Sequence, residues 1–451
     1  MPRSVRNGKV VTGRSLALLL SCASLCILTG PLYAADLEAD PSNYRAALAR
    51  LRPGETLVLK AGTYMHGLPL RDVHGSATRP IIVRGAPDQS SLFLAQGCCN
   101  TVELENVSYV EIRNLTLEGG NLDGPFAVNA RGTSHNVTLE GLRIVGHGAN
   151  QAVVGISTKG PAWNWVIRGN AIIGAGTGMY LGSSDGTAPF VAGVIENNLF
   201  LDTLGYNVQI KHQLPRATDI GLPVTASSTI IRHNVFSKQN SAARGRNARP
   251  NLLVGHFPLS GYGVEDTYEI YGNLFYENPS EALFQGEGNI ALHDNVFVTT
   301  TGAAVNIQPH RATPRRVLVY HNTILAKRSG IRVIGGAAHF PRHIVGNAVF
   351  AASPVEGPDA RENSIGSYEE AAAAFVAPFA PLGQLDLSPR PDHLIGAPAD
   401  LSLFQALAAG TLDFDGRTRH GRFRGAFEGP RNPHGWPLGR TFKPSPDLSG
   451  Q

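Results

Sequence analysis

The chain has 451 residues, 42% hydrophobic and 16% charged, which is enough apolar material for a large core and excludes a disordered, purely polar polypeptide. Fifty-one glycines and thirty prolines punctuate it with turns and argue against a bundle of long helices. The formal charge of +4 falls away once the N-terminal residues are set aside, because Arg3, Arg6, Lys9 and Arg14 precede residue 35 and no acid does, so no general attraction to nucleic acid follows.

Those basic residues lead into an apolar run from Leu16 to Leu28 that closes on Leu32-Tyr33-Ala34, the layout of a cleavable secretory signal peptide over residues 1–34. A secreted or periplasmic protein is expected. The run is shorter than the roughly 20 residues of a spanning helix, so a retained anchor is the weaker alternative and no membrane span is expected. A lipoprotein site at Leu19-Leu20-Ser21-Cys22 is weaker still, since most of the apolar run would follow the attachment point. Cys22 and Cys26 lie in this leader, leaving the adjacent pair Cys98 and Cys99. A bond between neighbours is strained, so the pair reads as two small residues in a turn, with no disulfide framework.

Tyr44 to Leu51 has the pattern of a short amphipathic helix that caps an open core. Strand-like segments follow at Gly54-Glu-Thr-Leu-Val-Leu-Lys60-Ala-Gly-Thr-Tyr64 and Arg79-Pro-Ile-Ile-Val-Arg-Gly85. From there one short pattern recurs: apolar or β-branched residues, a polar step, Asn, then another apolar pair. The Asn falls at 114, 170, 198, 234, 273, 295, 322 and 347, with Gly141 in a degenerate copy, at steps of 22 to 39 residues. Repeats of this length are single coils of a solenoid, each burying its inner face only against its neighbours. The asparagines read as structural: at a strand corner Asn tolerates a left-handed backbone and can bond to the equivalent Asn one coil away. An alternating βα protein is the competing architecture, but no amphipathic helix fits between consecutive copies.

The cap helix followed by a Gly-Thr-Tyr strand and a Pro-Ile strand resembles exported right-handed parallel β-helix proteins of the pectate-lyase-like superfamily, most closely the chondroitinase B and alginate lyase group. The Asn-ended coils resemble the same superfamily, as does the closing segment Asp415-Gly-Arg-Thr-Arg-His-Gly-Arg-Phe-Arg-Gly425-Ala-Phe-Glu428. The expected fold is all-β: a single right-handed parallel β-helix over residues 35–350, with an N-terminal cap helix. Residues 351–451 form a linker, a short helix near Tyr368 to Phe375 and a closing segment packed on the solenoid.

Two consecutive steps, of 36 and 39 residues, exceed the rest. Extra residues in a solenoid emerge as loops on one face, where binding groups concentrate. The first insertion follows Gly205-Tyr-Asn-Val-Gln-Ile-Lys211-His212-Gln213, and the second carries Arg244, Arg246 and Arg249 before Leu252-Leu-Val-Gly-His256. Stacking the strands by pattern aligns Val208 to His212, Leu252 to His256, Ala282 to Glu287 and Val305 to Arg311. Alternation turns Val208, Ile210, Phe284 and Ile307 inward. It gathers Lys211, His212, His256, Gln285, Glu287, Gln308 and His310 outward within about 15 Å.

Cleaving a uronic-acid polymer by β-elimination needs a base for the proton beside a carboxylate, cations to neutralise that carboxylate, and an acid for the leaving oxygen. Lys211, His256 and His212 are the candidate catalytic residues. Gln209, Arg244, Arg246, Gln285, Glu287, Gln308, His310 and Arg311 are the candidate substrate contacts. Crowding by His212 or the insertion arginines would lower the pKa of Lys211. The resemblance implies a Lys base on one coil and an Arg acid on the next; Lys211 looks like the Lys, while His256 or an insertion arginine stands where the Arg is expected. It also implies a carboxylate-rich calcium site, for which Glu287 is the only obvious acid on the stacked face, so no cofactor is assigned and calcium stays open.

The expected activity is therefore a lyase acting on an acidic polysaccharide, working as a monomer. Hydrolysis by paired carboxylates drawn from Glu265, Asp266 and Glu287 is one rival. A uronate epimerase, which shares the proton abstraction, is a second, and a non-catalytic glycan-binding or structural β-helix a third. His135, His147, His233, His293, His321 and His343 have no metal-ligand spacing and read as solenoid surface. Trp163 and Trp165 read as core or edge packing.

Overall fold

The computed structural model describes residues 36–400, 402, 412–431 and 435–444. The expected leader lies outside the described residues. Thirty-four strands among the described residues join one sheet whose pairings are all parallel, each strand pairing with the equivalent strand one coil later. The chain is a single right-handed parallel β-helix. Most strands are three to five residues long, as in Leu199–Leu201 and Val235–Ser237, so stability comes from stacking coil on coil and not from any strand alone.

Tyr44–Leu48 is helical and covers the N-terminal end of the core. Its Tyr44 is buried, donates its hydroxyl to the Gly67 carbonyl at 2.7 Å, and meets Tyr64 and Phe93 edge-on with ring centroids 5.0 and 5.8 Å away. Farther along, Phe200, Phe236, Phe275 and Phe297 pair in register and stack at 5.0, 4.7 and 4.5 Å.

The asparagines form a buried ladder, but the structure divides the two roles that the sequence pattern assigned to one residue. Asn170, Asn198, Asn234, Asn273, Asn295, Asn322, Asn347 and Asn363 each take part, with Nδ2 of one donating to Oδ1 of the next at 2.9–3.0 Å. The left-handed backbone falls one residue earlier, at Gly141, Gly169, Asn197, His233, Gly272, Asp294, His321, Gly346 and Glu362. Asn114, with φ +55°, belongs to this left-handed column, because Thr116 pairs with Arg143 and so sets Asn114 level with Gly141. The ladder position in those first coils is taken by Leu115 and Leu142, and Leu142 N–H caps the ladder on Asn170 Oδ1 at 2.8 Å.

Stacked strands continue past residue 350 to Ser364–Gly366. Among the described residues past 350, α-helix is confined to Ala371–Ala374, and Phe375–Ala377 pairs antiparallel with Asp386–Pro389. The closing segment lies along the ladder corner: Phe414, Phe427 and Leu438 pack on the outward column Leu199, Val235, Leu274 and Val296, and Gly425 N–H donates to the Gly346 carbonyl at 2.9 Å. This corrects the placement of several histidines on the solenoid surface. His293 and His321 are fully buried, and His147 is nearly so. Arg419 pairs with Asp294, which also accepts from His293 Nδ1 at 2.7 Å, while His293 is sandwiched between Tyr271 and Tyr320.

A second correction concerns the cysteines. Cys98 and Cys99 are joined in a vicinal disulfide in the turn between Ser91–Leu94 and Val102–Arg113. Trp165 is buried and donates Nε1–H to the Ser134 carbonyl at 3.2 Å, and Trp163 stacks on His135 at 4.5 Å, so both are packing groups.

Replacing Asn234 by Leu strands the Asn198 backbone N–H and Nδ2 donors and takes the side-chain donor from the Ile195 carbonyl, while Asn273 Oδ1 keeps the backbone N–H of residue 234. A loss of about 3 kcal/mol is expected from the unsatisfied buried groups. Asn114→Gly, at a left-handed position outside the ladder, is expected to change stability by less than about 1 kcal/mol. Denaturant unfolding of the two variants checks both values.

Candidate active site

Strands Val208–Ile210, Leu252–Val254, Phe284–Gly286 and Val305–Ile307 stack in register. Val208, Leu252, Phe284 and Val305 form one inward column, and Ile210, Val254 and Ile307 a second. Between them Gln209, Leu253, Gln285 and Asn306 face outward. One residue further, backbone bonds from Gly255 to Ile210, Glu287 to Val254 and Gln308 to Gly286 at 2.9–3.2 Å extend the ladder, so Lys211, Gly255, Glu287 and Gln308 share a column. The sequence pattern sets Gln285 level with Lys211, two residues out of the observed register at the third strand. A two-residue slip keeps every side chain on its face while changing its neighbours: Gln285 sits in the column of Gln209, and Glu287 takes the place in the Lys211 column.

A cleft of about 390 Å3 opens over these columns. Tyr206, Gln209, Lys211 and His212 line it from one coil, Arg249 and Leu253 from the next. Glu281, Gln285 and Glu287, then His310 and Arg311, complete the far wall. Gly255 keeps the floor low, because a Cβ there would lie 2.4 Å from the His212 backbone nitrogen.

His256 is nearly buried beside His212, with ring centroids 5.3 Å apart. Its Nδ1 lies 2.8 Å from the Phe257 carbonyl, which can only accept, so in the neutral ring the proton is on Nδ1 and Nε2 carries the lone pair. The Gln308 side chain meets Arg332 at 3.4 Å, one coil beyond the cleft. Arg244 and Arg246 are exposed around the short 3-10 turn Gly245–Asn247 and do not line the cleft. The insertion delivers Arg249 instead. Its carbonyl is held by Nζ of buried Lys238 and by Asn278 Nδ2, each at 2.8 Å, and its guanidinium stands 5.8 Å from the Tyr206 ring centre. Burial pushes the Lys238 ammonium down to about 7.

Glu287 acts on structure first. Its Oε2 accepts the backbone N–H groups of His310, Arg311 and Ala312 at 2.9–3.1 Å, which ties the turn carrying Arg311 to the cleft wall. Asp266 is buried against Arg216 and accepts Ser227 N–H at 2.9 Å, closing the first insertion. Among the described residues, Glu281 and Glu287 are the carboxylates that line the cleft, and Glu281 Oε1 accepts its neighbour Ala282 N–H at 2.9 Å. No group of three or more His, Cys, Asp or Glu among the described residues could hold a metal. With Arg249, Arg311 and Lys211 crowding these two acids, the cleft does not fit a calcium ion, which needs several free oxygen ligands.

The cationic side is continued by the preceding coil. Tyr180 pairs with Gln209, and its ring centre lies 4.0 Å from Lys159 Nζ and 5.5 Å from Lys211 Nζ. Burial, then Arg311 and Lys159, hold the Lys211 ammonium below its ordinary pKa. His212 is lowered by burial, then by Arg311, His256 and Lys211, and burial raises the Tyr180 phenol. Tyr180, Lys159, Tyr206 and Glu281 were missed in the sequence. Carrying the stack one coil back, to Met179-Tyr-Leu181, would have found Tyr180.

Fold and cleft together define a parallel β-helix protein with a cationic cleft on one sheet face. No family model matches the sequence, and a search of curated proteins finds no match. Solved structures with a similar fold include a variant of the PL6-family alginate lyase AlyGC, 14% identical over 73% of this chain and 51% of that one, with a TM-score of 0.48. The chain thus spans about half the length of that enzyme. Pectate lyase Pel9A is 13% identical over 91% of this chain and 96% of its own, with a TM-score of 0.42. The A-module of the Azotobacter vinelandii mannuronan C-5 epimerase AlgE6 is 17% identical over 71% and 92%, with a TM-score of 0.39.

Arg216→Ala leaves Asp266, 1% exposed, buried without its cation, and a loss of about 3–5 kcal/mol is expected. Thermal unfolding measures the loss, and early proteolytic cutting within residues 213–228 would show that the insertion has come free.

Proposed function

We propose that the protein is an exported polysaccharide lyase that cleaves a uronate-containing polymer by β-elimination in the Lys211 cleft. The observation that carries this reading is a half-buried lysine, held below its ordinary pKa, beneath exposed Arg311 and beside Arg249. Arg311 and Arg249 neutralise the uronate carboxylate, for which the planar guanidinium is suited, and so acidify the neighbouring C–H. Neutral Lys211 Nζ takes that proton. The electron pair forms the ring double bond as the bond to the glycosidic oxygen breaks, and the leaving oxygen takes a proton from Tyr180, which keeps it because burial raises its pKa. His212, kept neutral and backed by His256, supplies hydrogen bonds to sugar hydroxyls, as do Gln209 and Gln285.

Hydrolysis is less well supported, because its two carboxylates must be free to act as acid and base, and Glu287 and Asp266 are committed to backbone donors and to Arg216. Among the described residues no helix is long and apolar enough to cross a membrane.

Incubation with a panel of polyuronates, followed by ultraviolet absorbance and product mass, tests the reading. Unsaturated oligosaccharides are expected. New reducing ends without absorbance, inversion at C5 with unchanged chain length, or binding without turnover would each overturn it, in favour of a hydrolase, an epimerase or a binding protein. Lys211→Ala is expected to lower turnover by about 10²–10⁴-fold. Arg311 lowers the Lys211 pKa, so Arg311→Ala should raise it and move the alkaline-going rise of the pH–rate profile to higher pH. An unmoved rise would show that Lys211 is not the titrating base.

A further inference from the structure

The same sheet face carries a second cleft, of about 510 Å3, nearer the cap helix. Three arginines from separate elements reach it: Arg45 from the cap helix, Arg71 from strand Leu68–His74 and Arg131 from strand Val128–Glu140. Arg71 and Arg131 are each more than half exposed and meet Glu105 and Glu103 at 3.3 and 2.7 Å. Arg45 spends one nitrogen on the His66 carbonyl at 2.6 Å. Each guanidinium has five N–H donors, so these contacts leave donors for an incoming anion.

The wall opposite is the Cys98–Cys99 disulfide, whose turn is closed by the Gln96–Cys99 bridge. It offers a fixed, polarisable and weakly polar surface. Thr101, 1% exposed, also lines this cleft, and its hydroxyl has no hydrogen-bond partner among the described residues. A buried hydroxyl left unpaired at a cleft wall is costly unless a ligand or water meets it.

The two clefts share one outward column, which runs Glu103, Asn129, Ser157, Tyr180 and Gln209 on successive coils. Four steps at about 4.8 Å separate them by roughly 19 Å. Along the way, Asn129 Oδ1 and Ser157 Oγ likewise lack partners among the described residues.

We propose that the disulfide-walled cleft is a non-catalytic subsite for an anionic sugar of the same polymer chain that enters the Lys211 cleft. It rests on the polyuronate reading above for the identity of the chain. The arginines take the carboxylate, the disulfide meets an apolar face of the ring, and Thr101 meets a hydroxyl. Because one polymer bridges both clefts, occupancy of the second raises the local concentration of sugar at the first.

The test is calorimetric titration of full-length Lys211→Ala with acidic tetrasaccharides and dodecasaccharides of galacturonate and of mannuronate, with a neutral glucose dodecasaccharide as control. An acidic dodecasaccharide is expected to bind about tenfold more tightly than its tetrasaccharide. Adding Arg45→Gln and Arg71→Gln, both on exposed side chains, should erase that advantage by lowering dodecasaccharide affinity to the tetrasaccharide level. Cys98→Ser with Cys99→Ser should reduce it, which checks the disulfide wall by a route that keeps the arginines. Unaltered length dependence in the arginine variant, absence of length dependence in the parent, or equal binding of the neutral dodecasaccharide would overturn the proposal. Turnover of tetrasaccharide by the unsubstituted enzyme is read separately: turnover without length dependence removes the second subsite alone, and arginine-dependent binding without turnover removes the lyase reading alone.

Discussion

Everything in this protein depends on parallel backbone hydrogen bonding between equivalent residues of successive coils. It sets a repeat of about 4.8 Å, and at that spacing a column of identical or similar side chains becomes a continuous structure. The asparagine ladder is the clearest case, since each amide donates forward and accepts from behind, so none of its polar atoms is buried unpaid. The stacked phenylalanines inside and the His293 sandwich outside use the same geometry for rings.

That rigidity lets loops hold side chains in fixed places. The first insertion is pinned by the buried Arg216–Asp266 pair, and the second by Lys238 and Asn278 under the Arg249 carbonyl. Glu287 then fastens the turn that carries Arg311. The second and third of these anchors set Arg249 and Arg311 into the cleft that holds Lys211. Hydrogen bonds offset the cost of burying those anchors, and burial, with Arg311 and Lys159 nearby, lowers the Lys211 pKa.

The same register explains why the two clefts lie on one face. Outward residues of every coil fall in a few straight lines, so a polar group placed at one coil is aligned with groups many coils away. Asn129 Oδ1 and Ser157 Oγ, without partners among the described residues, lie on one such line between the clefts.

The repeat, its one-coil steps, the cap helix, and the inward set Val208, Ile210, Phe284 and Ile307 were legible from the chain alone, because hydrophobic period and turn residues are local signals. So was the gathering of Lys211, His212, Gln209, Gln285, Glu287, His310 and Arg311 around one cleft, since alternation assigns faces without coordinates. What the tertiary structure decided was register and covering. A slip of two residues preserves face, so pattern could not tell whether Gln285 or Glu287 stands in the Lys211 column. Loop paths carry no period, so Arg249 and not Arg244 or Arg246 enters the cleft. The closing segment buries His293 and His321 through contacts more than a hundred residues apart in sequence, and only the folded chain brings those partners together.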